Sequence, residues 1–105
     1  MFADGKDKDI NKILRHVSDL EEKGDVSEAI KELNKAIDLD PQDGNLFNRL
    51  GDLCVKNKDT KEATEAYKKG ILAYKKDDYF RNAITLCKKI MRHDPDNLEV
   101  NLIIA

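Results

Sequence analysis

The chain has 105 residues, of which 40% are hydrophobic and 38% charged, and its formal net charge is −2. That length suits one domain. The balance argues against a linker-like or collagen-like chain, and no apolar run approaches the ~20 residues of a membrane-spanning helix. Three Phe, three Tyr and no Trp point to a thin, extended core rather than one large central one. The opening residues, Met1-Phe2-Ala3-Asp4-Gly5-Lys6, lack the apolar stretch of a signal peptide, so a cytoplasmic location is expected, with Cys54 and Cys87 as reduced core residues.

Residues 1–8 read as a disordered tail. The first helix is predicted from about Asp9 to Lys23, where Ile10, Ile13, Leu14, Val17 and Leu20 recur at three- and four-residue spacing and so share one face. Gly24 stops it. Asp25, with Glu28 three residues on, has the form of a capping box for a second helix, which turns Ala29, Ile30, Leu33, Ala36 and Ile37 inward and ends at Asp40-Pro41. Asp43 is placed to cap a third helix carrying Leu46, Phe47, Leu50, Leu53 and Cys54. Asp59 and Glu62 repeat the capping signal for a fourth, about Thr60 to Lys76, expected to be the longest, with Ala63, Ala66, Tyr67, Gly70, Ile71 and Tyr74 inward. Asp77-Asp78 marks a turn and a cap. A fifth helix, about Tyr79 to Arg92, is expected to bury Phe80, Ala83, Ile84, Cys87, Ile90 and Met91 before Asp94-Pro95 ends it. A partial sixth begins at Asn97 and runs to residue 105. No segment shows a sustained two-residue alternation, so the fold class is all-α.

The strongest signal is internal. Gly24-Asp25-Val26-Ser27-Glu28-Ala29 returns 34 residues later as Lys58-Asp59-Thr60-Lys61-Glu62-Ala63. Phe47, Leu50, Gly51, Cys54, Ala63 and Tyr67 in the second copy, and Ala29, Leu33, Ala36 and Pro41 in the first, resemble the tetratricopeptide repeat, a helix–turn–helix unit of that period. The resemblance covers residues 9–105 and implies a right-handed α-solenoid. Its repeats would span 9–42 and 43–76. An irregular third would share the 60–76 helix and end near 95, because Ala63 and Ala83 are 20 residues apart rather than 34. A long shared helix of this kind resembles those of some bacterial scaffolds of this family. Small residues at Ala29, Gly51, Ala63 and Ala83 are expected at close helix crossings. His16, where the family usually has Leu, is read as a half-buried, hydrogen-bonded core residue.

No nucleophile stands in a recognisable motif with a base and an orienting partner, and no Gly-rich phosphate loop is present. His16 and His93 have no second ligand at metal spacing. Asp40-Pro41-Gln42-Asp43-Gly44-Asn45 lacks the alternate ligands and terminal Glu of a calcium loop and reads as a connector with a helix cap. The Lys68-Lys69, Lys75-Lys76 and Lys88-Lys89 pairs are not interleaved with aromatics as nucleic-acid binding would require. Neither catalysis, cofactor nor metal is therefore expected. Charge is unevenly spread: residues 1–59 hold 10 Lys/Arg against 14 Asp/Glu, residues 60–93 hold 9 against 4, and residues 94–105 hold 0 against 3. Solvated helix faces account for this, and an acidic partner for the middle segment is the sharper alternative.

What remains is surface. The family resemblance implies a concave groove that accepts a peptide or protein segment, lined here by Asn11, Leu14, Ser18, Asn45, Asn48, Asp52, Val55 and Lys56. Leu14 and Ser18 replace the Lys and Asn of the family's carboxylate clamp, so a clamp is not expected. The implied function is a protein-binding scaffold module, with a spacer or oligomerisation element, or an accessory domain of an enzyme or signalling protein, as alternatives. Leu98, Val100, Leu102, Ile103 and Ile104 suggest self-association through residues 98–105.

Overall fold

The structure, a computed structural model, describes residues 3–97, and the sixth helix and self-contact expected of residues 98–105 lie outside them. The described residues form five helices and no strand: α1 (Ala3–Glu22), α2 (Val26–Leu39), α3 (Gly44–Lys56), α4 (Thr60–Lys76) and α5 (Phe80–His93). The fold is an all-α helical repeat. Two compact units meet in sequence between Gln42 and Asp43.

In the first unit α1 packs along α2. Ile10 and Val17 face inward from α1, and Ala29, Leu33, Ala36 and Ile37 from α2; Val17, Ala29, Leu33 and Ala36 are completely buried. Each large aliphatic side chain removed from water in this way contributes about 1.5–3 kcal/mol. Ile13, Leu14, Leu20 and Ile30 are only half-buried. Residues 3–8, expected to be disordered, are the opening turns of α1. Once a helix is nucleated over its apolar face, each further residue adds a hydrogen bond at little cost, and Lys6 reaches Asp40 at 4.0 Å. At 20 residues α1, not the 17-residue α4, is therefore the longest helix. His16 is also corrected. Its imidazole is hydrogen-bonded as expected, 3.1 Å from Glu32, but it stands on the surface, 56% exposed, rather than in the core. Lys35, at 2.6 Å, and His16 together hold the Glu32 carboxyl below its ordinary range.

In the second unit α4 packs against both α3 and α5, and it is one uninterrupted helix. Glycine makes the sandwich possible. A Cβ on Gly51 would run into the Tyr67 ring, and one on Gly44 would lie 2.6 Å from Tyr74 Cδ1. One on Gly70 would lie 2.6 Å from Leu86 Cδ1 and 3.2 Å from Phe47 Cβ. Absent side chains on α3 thus admit two tyrosine rings of α4, and an absent side chain on α4 admits Leu86 of α5. That fit sets the rotation of α5. Ala83, Leu86, Cys87 and Ile90 are buried, whereas Phe80 and Ile84, both expected inside, are 53% and 44% exposed. The sequence of α5 has two adjoining apolar rows, and Leu86, which periodicity did not single out, belongs to the row that is used. Cys54 and Cys87 are free and buried, and burial pushes both thiols up.

The turns carry the repeat in their backbones. Gly24, Lys58 and Asp78 have φ of 82°, 61° and 62°. The next amide in each case closes on a carbonyl five residues back: Asp25 on Leu20 at 2.8 Å, Asp59 on Cys54 at 2.9 Å and Tyr79 on Tyr74 at 2.8 Å. This is the Schellman closure of a helix. Five residues beyond each left-handed residue comes a buried alanine, Ala29, Ala63 or Ala83. α2 and α5 also end alike, with Asp40 and Asp94 before proline at φ/ψ of −143°/79° and −146°/74°. α5 is thus entered and left as α2 is, and α4 packs against both α3 and α5. The expected caps are partly realised. Asp43 accepts from the Asn45 amide at 2.9 Å and Asp59 from the Glu62 amide at 3.2 Å. Asp25 makes no side-chain cap, and Asp77 and Asp78 close α4 while Tyr79 occupies the cap position of α5 without a side-chain bond.

Candidate functional site

Helical spacing puts Asn45, Asn48, Asp52, Val55 and Lys56 on one side of α3, because positions three, four, seven and eleven residues apart return to the same face. Asn45, Asp52 and Lys56 are exposed, and Asn48 and Val55 half-buried. Three of the five are held by neighbours that sequence reading did not assign to the site. Tyr74 Oη donates to Asn45 Oδ1 at 2.5 Å, and Tyr67 Oη donates to Asp52 Oδ1 at 2.6 Å. Lys89, from α5, donates to Asn48 Oδ1 at 2.8 Å and to both Asp52 oxygens at 3.0 and 3.2 Å. Its Nζ also stands 5.7 Å from the centre of the Tyr67 ring, within reach of a cation–π attraction.

The electrostatics follow from burial. Both rings lie under the surface against glycine, so burial raises the Tyr67 hydroxyl far above its ordinary value, and the bond to the Asp52 carboxylate raises it further. Burial raises Tyr74 as well, opposed by the amides of Asn48 and Asn82. Both phenols therefore stay protonated and remain donors. An asparagine whose carbonyl oxygen is already occupied has its N–H groups left to offer. For Asn45, which is exposed and has Oδ1 engaged by Tyr74, that leaves the amide N–H groups as donors, the complement of a peptide carbonyl. Asp52 keeps spare acceptor capacity beside the Lys89 ammonium.

The other three expected residues, Asn11, Leu14 and Ser18, share a side of α1 in the first unit, with Leu14 half-buried and the other two exposed. Asn11 lines a shallow depression with Lys8, Lys12 and Arg15. In the second unit a separate cleft lies between the start of α4 and the end of α5, lined by Thr60, Thr64, Lys68, His93 and Asp94 among others. It includes none of the α3 residues. Among the described residues no three His, Cys, Asp or Glu side chains gather as a metal site would require, and no helix is long and apolar enough to cross a membrane. The connector around Asp43 is a helix cap, as expected. Lys89, Tyr67 and Tyr74 were missed because nothing local marks them. Tyr67 and Tyr74 read as core, and Lys89 as one of a pair of surface lysines; only the packing of α4 between its neighbours brings them to α3.

Comparison with known families adds two matches. A family model described as TPR repeat matches residues 20–58, and one described as tetratricopeptide repeat matches residues 45–77. No curated protein matches the chain.

Proposed function

The chain belongs to the tetratricopeptide repeat family, whose repeats generally mediate protein–protein interactions, and from that premise we propose that it is a scaffold module that takes a peptide or protein segment on the polar face of α3, with no catalysis of its own. The observation that supports this most directly is the anchoring of Asn45, Asn48 and Asp52 by Tyr74, Lys89 and Tyr67. Side chains already held in one orientation lose little freedom when a ligand arrives, so more of their interaction energy appears as affinity. Donors on Asn45 and acceptors on Asp52 suit the alternating carbonyls and amides of an extended backbone. Lys89 supplies a cation next to Asn48, although Asp52 neutralises it, which argues against recognition of a free carboxylate alone.

Panning the intact chain against a displayed library of short random peptides tests this reading. Peptides that bind the proposed face should lose at least about tenfold in affinity, or ~1.4 kcal/mol, on Asn45→Ala or Asp52→Ala. Binders indifferent to both substitutions would move the site elsewhere.

A further inference from the structure

α5 has a second face with its own chemistry. With ~100° between successive helical residues, Phe80, Ile84 and Met91 fall within ~40° of one another. Lys88, Arg81 and Arg92 follow along one edge of that row, while Lys89 points the other way, to α3. Phe80 and Ile84 are 53% and 44% exposed and Met91 is half-buried. Arg81, Lys88 and Arg92 are exposed, and none forms an ion pair among the described residues. No Asp or Glu occurs anywhere in α5. The row's other edge adjoins Ala83 and Cys87, which are buried where α5 packs on α4.

We propose that this outward face of α5 is a docking surface for an acidic amphipathic helix of a partner protein, distinct from the α3 face. The apolar row is the length and width of a single helix contact: Phe80 to Met91 spans ~16 Å at 1.5 Å per residue, which an apolar row at three- and four-residue spacing on a partner helix would match. The uncompensated cations on one edge select the sign of the partner's flank. A second copy docking antiparallel by the same face would set two cationic edges against each other, which disfavours that pairing. Cations on one edge only, with the other edge closed by packing, also fit a helix lying alongside better than a lipid surface. A membrane-surface helix has a polar face rich in Lys and Arg opposite its apolar face, whereas α5 away from this row is packed in the fold at Leu86 and Ile90.

Two synthetic helical peptides decide the matter, identical in their leucine row and carrying either Glu or Lys at the flanking positions, titrated against the intact chain by fluorescence anisotropy. The Glu peptide should bind at least about tenfold more tightly than the Lys peptide. Changing Phe80→Ser and Ile84→Ser together should abolish binding. Arg81→Glu with Lys88→Glu should reverse the preference. Amide chemical-shift changes in the unmutated chain should fall on α5, which protects the test against a variant that fails to fold, and Asn45→Ala should leave the Glu peptide's affinity unchanged. Equal binding of the two peptides, or shifts confined to α3, would overturn the proposal. So would co-sedimentation with phosphatidylserine vesicles, lost on the Phe80 and Ile84 changes, in the absence of Glu-peptide binding; that result would make the face a membrane contact.

Discussion

The two units build the same helix pair by opposite divisions of volume. Val17 and Leu33 in the first unit stand 34 residues before Gly51 and Tyr67 in the second, and all four are at or near complete burial. α1 buries a branched aliphatic side chain at this position and α2 a leucine. Where α3 presents none, α4 answers with a tyrosine ring laid on the bare backbone. Cores tolerate exchanges that keep total volume, so the repeat survives the swap. Its surface does not survive unchanged. The ring that fills the space over Gly51 carries a hydroxyl to the far side, where it meets Asp52; Leu33 has nothing to send. At the position of Asn48 the first unit has Leu14, and at that of Asp52 it has Ser18. A packing choice inside the pair thus decides whether the polar face above it is anchored.

The largest effect should come from undoing that choice. Gly51→Val places a branched side chain where the Tyr67 ring lies and should cost about 3 kcal/mol in chemical denaturation. Tyr67→Leu alone should cost a comparable amount, since it opens a cavity and removes a hydrogen bond. Combined, they transplant the Val17–Leu33 solution into the second unit, and the pair should be at least ~1 kcal/mol less damaging than the sum of the two. Strict additivity would mean that the two positions do not share one space.

Ala29→Leu and Ala63→Leu probe the feature the units have in common. Both alanines are buried, at 0% and 1% exposure, just beyond equivalent left-handed turns. Each substitution should destabilise by about 1–3 kcal/mol, because overpacking forces neighbouring helices apart. A variant that unfolds at the parental denaturant concentration would show that its alanine does not sit at a crossing.

Much of this architecture was legible in the sequence because it is written in local, repeated chemistry. The 34-residue return of Gly24-Asp25 as Lys58-Asp59, the alanines and the two Asp-Pro ends named the turns and helices closely. The continuous 60–76 helix followed from its apolar spacing. Legibility stopped where tertiary fit chose between equivalent local options. α5 offers two apolar rows, and the space over Gly70 took Leu86 rather than Phe80 or Ile84. Residues 5–8 are all exposed, yet helix propagation carries them. His16 sits at a position that is apolar in the family but meets Glu32 on the surface. For the α3 face, helical spacing puts Asn45, Asn48 and Asp52 on one side of a helix, but their partners come from 15 to 41 residues away, a distance at which periodicity carries no information.

A smaller effect separates the units by pH. Tyr67 is held protonated in the folded state well above the ~10 of an unfolded tyrosine. Its contribution is therefore complete below about pH 10 and lost as pH rises beyond that, because the unfolded chain gives up the proton first. Cys54 and Cys87, raised from an unfolded value of ~8.5, begin a decline of the same sign earlier. Tyr67→Phe should cost about 1 kcal/mol at neutral pH through the lost hydrogen bond and remove one part of the decline above pH 10, leaving the thiol part and that of Tyr74, also raised by burial, in place. A stability–pH curve that steepens in the Phe variant would place the alkaline sensitivity in some other group.

The smallest expected effect concerns Lys89, which links α5 to the polar face of α3. Three partners converge on its ammonium: Asn48, Asp52 and the Tyr67 ring. The number of contacts suggests a large contribution, but exposure decides otherwise. The Asp52 side chain is 49% exposed and that of Lys89 23%, so water screens the pair and the long lysine chain loses rotamer freedom in making it. Exposed ion pairs are worth ~0.2–1 kcal/mol, and the desolvated side facing the ring adds a similar amount. Lys89→Met keeps the aliphatic stem over Tyr67 while removing the charge, and should destabilise by no more than about 1 kcal/mol, less again in 1 M salt, where screening acts within ~3 Å. Its consequence should instead appear at the surface. With the ammonium gone, Asp52 becomes an unneutralised carboxylate next to a freed Asn48 oxygen, and peptides recovered on the α3 face should shift toward those carrying Lys or Arg. Measured affinities for paired Lys- and Glu-containing peptides on the parent and the Met variant would show it. A large loss of stability, with no change in charge preference, would make Lys89 a structural strut between α5 and α3 rather than the residue that sets the charge of the site.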